Sequence, residues 1–264
     1  MKVGVIGLGL IGGSIFKDLK RLGIEVSAVS QSQCGENIYK DYTVLKDCGI
    51  IFVCSAMNKT LAILDELEKF VKSETIVTDV CSLKGFVSKK ERPYRFIPSH
   101  PMAGTENKGY ESSMEGLFKG AKWVLTPKTK FSESTGYLLP EGTKELIDLI
   151  EKLGAIPVIT TPEEHDRAAA MISHMPMVLA QALFLSVKDN PLALDMAASG
   201  FRDMTRLALS NEEMACDMVT MNSENIQNAL LHLYKAVGDL TAGDYPKTIT
   251  SIKAERSKMF TARN

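Results

Sequence analysis

Two stretches of this chain hold residues whose types and spacing suit chemistry. The first is Gly7-Leu8-Gly9-Leu10-Ile11-Gly12, a G-x-G-x-x-G run. Gly7 permits a tight turn, Gly9 has no Cβ and lets a pyrophosphate approach the backbone, and Gly12 lets a helix lie close to a strand. The unbonded N–H groups at the start of that helix would face the phosphates. A glycine-rich turn in an ordinary α/β protein is the competing explanation. The second stretch is Ser99-His-Pro-Met-Ala-Gly-Thr-Glu106. A histidine at the end of a strand in a nucleotide-binding sheet is placed to act beside a nicotinamide, where it can accept a hydroxyl proton near neutral pH. On spacing alone, a structural histidine bonded to a backbone carbonyl explains it equally well.

These residues need a sheet to hold them. Val3 to Ile6 is apolar and rich in β-branched residues, and so reads as a buried strand before the glycines. An apolar-periodic helix runs on to Leu22, and Glu25 to Val29 reads as a second strand. A short helix near Glu36 to Asp41 and a brief strand near Tyr42 to Leu45 are expected next. Strands follow at Ile50 to Cys54 and Thr75 to Val80, with a helix over Thr60 to Val71 between them. Ser55, Ala56 and Met57, and then Cys81-Ser82-Leu83-Lys84, stand at strand carboxyl ends, where ligands sit in such sheets. Phe96 to Ser99 leads as a strand into His100. Trp123 to Thr126 is a strand, Pro127 to Glu141 a polar loop, Lys144 to Leu153 a helix and Ile156 to Thr160 a last strand.

At Thr161-Pro162-Glu163-Glu164 a helix-start signal appears, and everything after it is helical in period. The expected fold is α/β: a Rossmann-type dinucleotide-binding domain over 1–160, then an all-α domain over 161–264. Ala168 to Val187 is apolar on every side and needs cover on every side. Gly200-Phe-Arg-Asp203 is expected to interrupt the helices, and Glu212 to Val237 and Ile249 to Met259 to resume them. The small helical region cannot surround Ala168 to Val187 alone, so a homodimer is expected.

The chain has 264 residues, 45% of them hydrophobic, enough for one large or two smaller domains. Lys+Arg 31 against Asp+Glu 32 leaves a formal charge of -1, so neither a nucleic-acid nor an anionic-membrane partner is indicated. Neither a signal peptide nor a membrane-spanning segment is expected, and Lys2 stands where N-myristoylation needs glycine. The five cysteines form no C-x-x-C pair and read as free thiols of a cytoplasmic protein. No Cys/His cluster suggests zinc, so no metal is expected.

Dinucleotide folds that prefer NAD usually end the second strand with an acid for the ribose hydroxyls. Here the run is Ser30-Gln31-Ser32. Loss of that carboxylate removes a repulsion against a 2′-phosphate, and these side chains can donate to one. NADP is therefore the expected cofactor, with NAD the alternative, since the same hydroxyls and amide also suit its ribose.

Over nearly its whole length the sequence resembles the prephenate/arogenate (cyclohexadienyl) dehydrogenases of tyrosine biosynthesis. The resemblance rests on Gly7-Leu-Gly-Leu-Ile-Gly-Gly-Ser14, Thr78-Asp-Val-Cys-Ser-Leu-Lys84, Ser99-His-Pro-Met-Ala-Gly-Thr-Glu106, Trp123-Val-Leu-Thr-Pro127, Pro162-Glu-Glu-His-Asp166, Ile172-Ser-His-Met-Pro176 and Ser199-Gly-Phe-Arg-Asp-Met-Thr-Arg206. It implies oxidative decarboxylation of arogenate, prephenate or both, with hydride transfer to NAD(P). It implies that His100 is the catalytic histidine and that Ser82 helps hold the substrate hydroxyl or the nicotinamide. Arg206 would pair with a substrate carboxylate, His174 would line or brace the pocket, and Gly104, Thr105 and Glu106 would face the substrate. His165 matches the family as well, without an assigned role. Taken singly, a surface cation, a helix cap and a core histidine explain Arg206, Ser82 and His174 equally well.

The chain also departs from the family. Met177 stands where some members have a second histidine for the prephenate side chain, which leans towards arogenate. Ser30 replaces the usual acid, as in NADP-using members. The span from Ser30 to Ile50 is short, and neither an ACT-like nor a chorismate mutase domain is expected. The rival readings are another small Rossmann-plus-helical dehydrogenase or imine reductase, a non-catalytic nucleotide sensor, and a structural dimer module. None of these requires His100, Ser82 and Arg206 together behind the glycines.

Overall fold

The computed structural model describes residues 1–105, 107–132 and 136–261. Its main sheet comprises β1 (Val3–Ile6), β2 (Val26–Val29), β3 (Ile38–Tyr39), β4 (Ile50–Val53), β5 (Ile76–Asp79) and β6 (Arg95–Phe96). The spatial order is β3-β2-β1-β4-β5-β6 and every pairing is parallel. The chain reverses direction across the sheet between β1 and β4, which opens a crevice at their carboxyl ends. β1, β2, β4 and β5 are buried at every position, as a parallel sheet covered on both faces requires.

Alternation within the strands assigns the two faces. Val3, Val5 and Phe52 pack with Ile15, Phe16 and Leu19 of α1 (Leu10–Arg21). Ile6, Ile51 and Val53 pack instead with Leu64 and Leu67 of α2 (Met57–Leu67). A smaller sheet joins β7 (Ser99–Pro101), β8 (Lys122–Leu125) and, beyond the hairpin of β9 (Lys130–Ser132) and β10 (Gly136–Leu138), β11 (Ile156–Ile159). Between β10 and β11 lies α3 (Thr143–Lys152), whose Leu146, Leu149 and Ile150 close the first face.

The helical part begins at α4 (Pro162–Ala169). Thr161 Oγ1 accepts the Glu164 N–H at 3.2 Å, Pro162 occupies the first turn, and two glutamates face the helix dipole. A π turn, Ala170–His174, connects α4 to α5 (Met175–Val187). Pro176 has no N–H to return to the preceding turn, and the backbone widens there. α6 (Pro191–Asp195), α7 (Ser199–Thr205), α8 (Glu212–Met221), α9 (Ser223–Ala242) and α10 (Tyr245–Thr261) complete the chain.

Several local expectations are corrected. Between β2 and β4 the chain forms a strand at Ile38–Tyr39 and a tight 3₁₀ turn at Tyr42–Leu45, not a helix followed by a strand. Asn37 at φ 61 breaks any helix there, and Asp41 caps the turn by accepting the Thr43 N–H at 2.9 Å. The expected strand Phe96 to Ser99 is split, because Pro98 has no N–H for a ladder. Gly200-Phe-Arg-Asp203 lies within α7 rather than interrupting the helices. The run Pro162–Val187 is long and apolar enough to cross a membrane, with a mean hydropathy of 1.6, although no spanning segment was expected. Its His165 and Asp166, however, are bonded to the nucleotide-type domain.

Candidate active site

The glycine run lies where its spacing places it. Gly7 has φ +87, and a Cβ there would stand 2.5 Å from the Cys54 carbonyl oxygen. A Cβ on Gly12 would stand 1.9 Å from the Gly7 carbonyl oxygen, so α1 lies directly on the strand end. Gly9 faces open space, and the first turn of α1 carries no acid. The cradle of Gly7, Leu8, Gly9, Leu10, Ile11 and Gly12 fits a dinucleotide pyrophosphate. Ser55, Ala56 and Met57 follow β4 across the crevice, with the Ser55 and Thr60 hydroxyls 2.9 Å apart. Ser30, Gln31 and Ser32 stand at the end of β2, where Ser30 Oγ accepts the Gln33 N–H at 3.1 Å.

A buried ion pair sets the strand that carries His100. Lys84 and Asp79 have fully buried side chains and bond to each other. Lys84 Nζ also donates to the Ser99 carbonyl at 2.6 Å. Asp79 accepts the Cys81 N–H at 2.9 Å and the Ser99 N–H at 3.3 Å. Trp123 Nε1 donates to Ser99 Oγ at 2.9 Å, and Thr78 Oγ1 lies 2.8 Å from the same hydroxyl. The residue before His100 is thus held through its N–H, its carbonyl and its hydroxyl.

His100 itself is bonded across the two parts of the chain. Its Nδ1 lies 2.9 Å from Nε2 of His165, and Nδ1 of His165 lies 2.8 Å from Asp166 Oδ1. Asp166 Oδ1 and Oδ2 also accept the N–H groups of Lys84 and Gly85, each at 2.8 Å. Gly85 permits that approach, since a Cβ there would stand 2.9 Å from Asp166 Oδ2. The bonding order sets the tautomers. A carboxylate acceptor requires His165 to carry its proton on Nδ1, so His165 Nε2 accepts and His100 Nδ1 donates. The lone pair of His100 is then on Nε2.

Electrostatics keep that imidazole neutral. Burial first, and then the neighbouring His165, Lys84 and His174, hold His100 well below the ordinary histidine range. His174 is buried in the π turn, and burial lowers it to about 4. Asn222 Nδ2 stands 3.1 Å from His174 Nδ1 and donates to the Asp166 carbonyl at 2.9 Å. Donation from that amide puts the His174 proton on Nε2, a buried atom with no partner among the described residues.

The other expected residues are less closely gathered. Ser82 is half-buried, and its hydroxyl donates to Met57 Sδ at 3.4 Å. Met177 is buried in an apolar cluster with Met57, Cys81 and Leu83, against which Leu207 packs. Arg206, next to Leu207, lines an open cavity of about 480 Å³ with Phe184, Arg202 and Asp203. Gly104 and Thr105 are exposed after β7, where Thr105 Oγ1 accepts the Asn107 N–H at 3.2 Å. Glu106 lies outside the described residues. Sequence reasoning missed Asp79, Lys84, Asp166 and Asn222 as supporting residues. Asp79, Lys84 and Asp166 stood within the stretches that carry the resemblance, but without a role there; Asn222 had no signal.

Comparison with known proteins places the chain in a family. A family profile described as prephenate dehydrogenase, nucleotide-binding domain, matches residues 24–156, and its dimerization-domain counterpart matches residues 161–243. The chain belongs to the prephenate dehydrogenase family. It is 32% identical over 243 residues to a prephenate dehydrogenase of Bacillus subtilis, across 83% of this chain and 64% of that protein. The chain therefore spans slightly under two thirds of that relative's length. A cyclohexadienyl dehydrogenase of Zymomonas mobilis is 26% identical over 252 residues, covering 87% of this chain and 84% of the relative. The crystal structure of Synechocystis arogenate dehydrogenase superposes with a TM-score of 0.80 at 32% identity, over 98% of this chain and all of that one. The parallel sheet followed by helices is the family's architecture, and its first domain is a nucleotide-binding one.

Proposed function

We propose that this chain is a dehydrogenase of tyrosine biosynthesis that oxidatively decarboxylates arogenate, prephenate or both, giving tyrosine or 4-hydroxyphenylpyruvate. The observation that carries this reading is the His100–His165–Asp166 chain of hydrogen bonds, in a protein that also carries a glycine cradle shaped for a dinucleotide. Burial keeps His100 neutral, and the bonding order makes Nε2 the nitrogen able to take a proton.

A bound nicotinamide supplies the acceptor for the hydride that leaves C4 of the cyclohexadiene ring. His100 Nε2 takes the C4 hydroxyl proton as that carbon is oxidised. The ring carboxylate leaves as carbon dioxide, and its bonding pair completes the aromatic ring. Positive charge on the two-ring unit of His100 and His165 is offset by the Asp166 carboxylate. Ser82 helps hold the hydroxyl or the nicotinamide, Arg206 anchors a carboxylate, and His174 braces the pocket. Thr105, Gly104 and Glu106 belong to the substrate side. Residues 1–160 hold the dinucleotide, through Gly7, Gly9 and Gly12, the end of β2, and Ser55 to Met57. Residues 161–264 close the substrate site and form a homodimer in the cytoplasm.

NADP is the preferred cofactor in this reading, supported by Ser30 in place of an acid. Buried Met177 supports arogenate over prephenate, since a thioether offers no charge to a keto-acid side chain. Steady-state assays crossing both substrates with both cofactors test the whole reading. Absence of turnover with either substrate and either cofactor overturns it.

A further inference from the structure

The end of β2 holds a cation that its own sequence neighbourhood does not reveal. β2 and β3 pair in parallel, Ala28 with Ile38 and Val29 with Tyr39. Continued by one residue, that register places Lys40 level with Ser30, and the Ser30 N–H indeed donates to the Tyr39 carbonyl at 3.0 Å. Lys40 Nζ donates to the carbonyls of Ser30 at 2.9 Å, Gln31 at 3.0 Å and Gln33 at 3.0 Å. Gln31 Nε2 returns a bond to the Lys40 carbonyl at 3.2 Å. The ammonium is thus anchored over Ser30, Gln31 and Ser32, which are the residues facing the adenosine ribose in a fold of this kind.

Its charge is not spent on a carboxylate. Among the described residues Lys40 makes no ion pair. Glu36 reaches Lys20 of α1 at 3.4 Å. The neighbouring Asp41 turns to the Thr43 N–H, which holds its carboxyl below the usual range. An acid at position 30 would meet this ammonium directly; serine leaves it available.

We infer that Lys40 is the residue that selects a 2′-phosphorylated dinucleotide, its ammonium exchanging a loop carbonyl for a phosphate oxygen beside the Ser30 and Ser32 hydroxyls. This rests on the NADP reading above and supplies the cation that a 2′-phosphate needs. Carbonyl anchoring also limits the side-chain entropy lost on binding, because the ammonium is already held near its working position.

The test is equilibrium binding by calorimetry, with adenosine 2′,5′-bisphosphate and adenosine 5′-monophosphate as probes, to the wild type, Lys40→Met and Lys40→Arg. The wild type is expected to bind the bisphosphate more tightly. Lys40→Met should lose about ten- to a hundredfold in bisphosphate affinity, the scale of one charge contact near a protein surface. Its affinity for the monophosphate should be unchanged, and Lys40→Arg should keep the preference. If Lys40→Met keeps the preference, the assignment of Lys40 is overturned while the NADP reading stands. If Lys40→Met weakens both probes equally, Lys40 is only a structural clamp and the assignment again falls. If the wild type shows no preference for the bisphosphate, the NADP reading fails, and this inference with it.

Discussion

His100 Nδ1 stands 2.9 Å from Nε2 of His165, a bond between β7 of the nucleotide-type domain and α4 of the helical one. The two rings meet edge to face, at 71° between planes, so one nitrogen of each is committed to the other. The proton-accepting nitrogen of His100 is therefore chosen from a distance, by Asp166.

This choice has a kinetic consequence. His100→Asn should lower kcat by about two to four orders of magnitude, the usual loss for a general base. Asp166→Asn should lower it by about one to three orders, because an amide can hold the wrong tautomer of His165 in place. The double variant should be no slower than His100→Asn alone, since both act on one proton transfer. Additive losses in steady-state kcat would show that Asp166 acts elsewhere.

The pH profile follows from the same environment. Burial, His165, Lys84 and His174 all disfavour the imidazolium of His100, so its pKa lies well below 6.5. The His100 imidazole is unprotonated at neutral pH and remains so on moderate acidification. The acid limb of kcat/KM should therefore fall below pH 6.5, the ordinary histidine value. A limb at or above that value would mean that the site does not depress His100.

The Lys84–Asp79 pair should matter most for stability. Lys84→Met leaves the Asp79 charge buried without its cation, at a cost of about 3–5 kcal/mol. Adding Asp79→Asn removes the stranded charge and should recover part of the loss. Urea unfolding of the single and double variants measures both. A double variant less stable than Lys84→Met would contradict the stranded-charge account.

Acid should destabilise the fold through His174. Its folded pKa of about 4 lies below the free value of 6.5, so the unfolded chain binds the extra proton between those values. The resulting penalty is absent above pH 6.5 and grows as pH falls towards 4. By linkage it reaches roughly 2–3 kcal/mol. Unfolding midpoints from pH 7 downwards should decline less steeply for His174→Gln than for wild type. Equal slopes would exclude His174 as the source.

Assembly can be tested on the apolar helix run. Ile172 is 66% exposed and Leu185 60% exposed in the single chain, beside Met171 and Phe184. Large apolar side chains left exposed along one helix run are covered when a second copy packs on it. Light scattering should give a dimer for wild type at micromolar concentration, and a monomer for the double variant Ile172→Glu, Leu185→Glu. A wild-type monomer would refute this assembly.

What the sequence determined by itself was local. The strand-turn-helix around Gly7, Gly9 and Gly12 was legible because each glycine answers a steric demand of its own neighbourhood: φ +87 at Gly7, and backbone contact at Gly12. The alternation of sheet and helix, and the start of α4 at Thr161-Pro162, were legible for the same reason, since periodicity and capping act over a few residues. His100 was legible as a candidate proton acceptor, but not which of its nitrogens accepts, because its tautomer is set by Asp166, far along the chain. That setting required α4 to dock on the Lys84–Gly85 backbone and required Lys84 to be buried against Asp79. The region between Ser30 and Ile50 was misread because two-residue strands leave no periodic signal; there only the parallel register of β3 on β2 brings Lys40 level with Ser30. Contacts of this kind depend on how distant segments pack, and only the tertiary structure decided them.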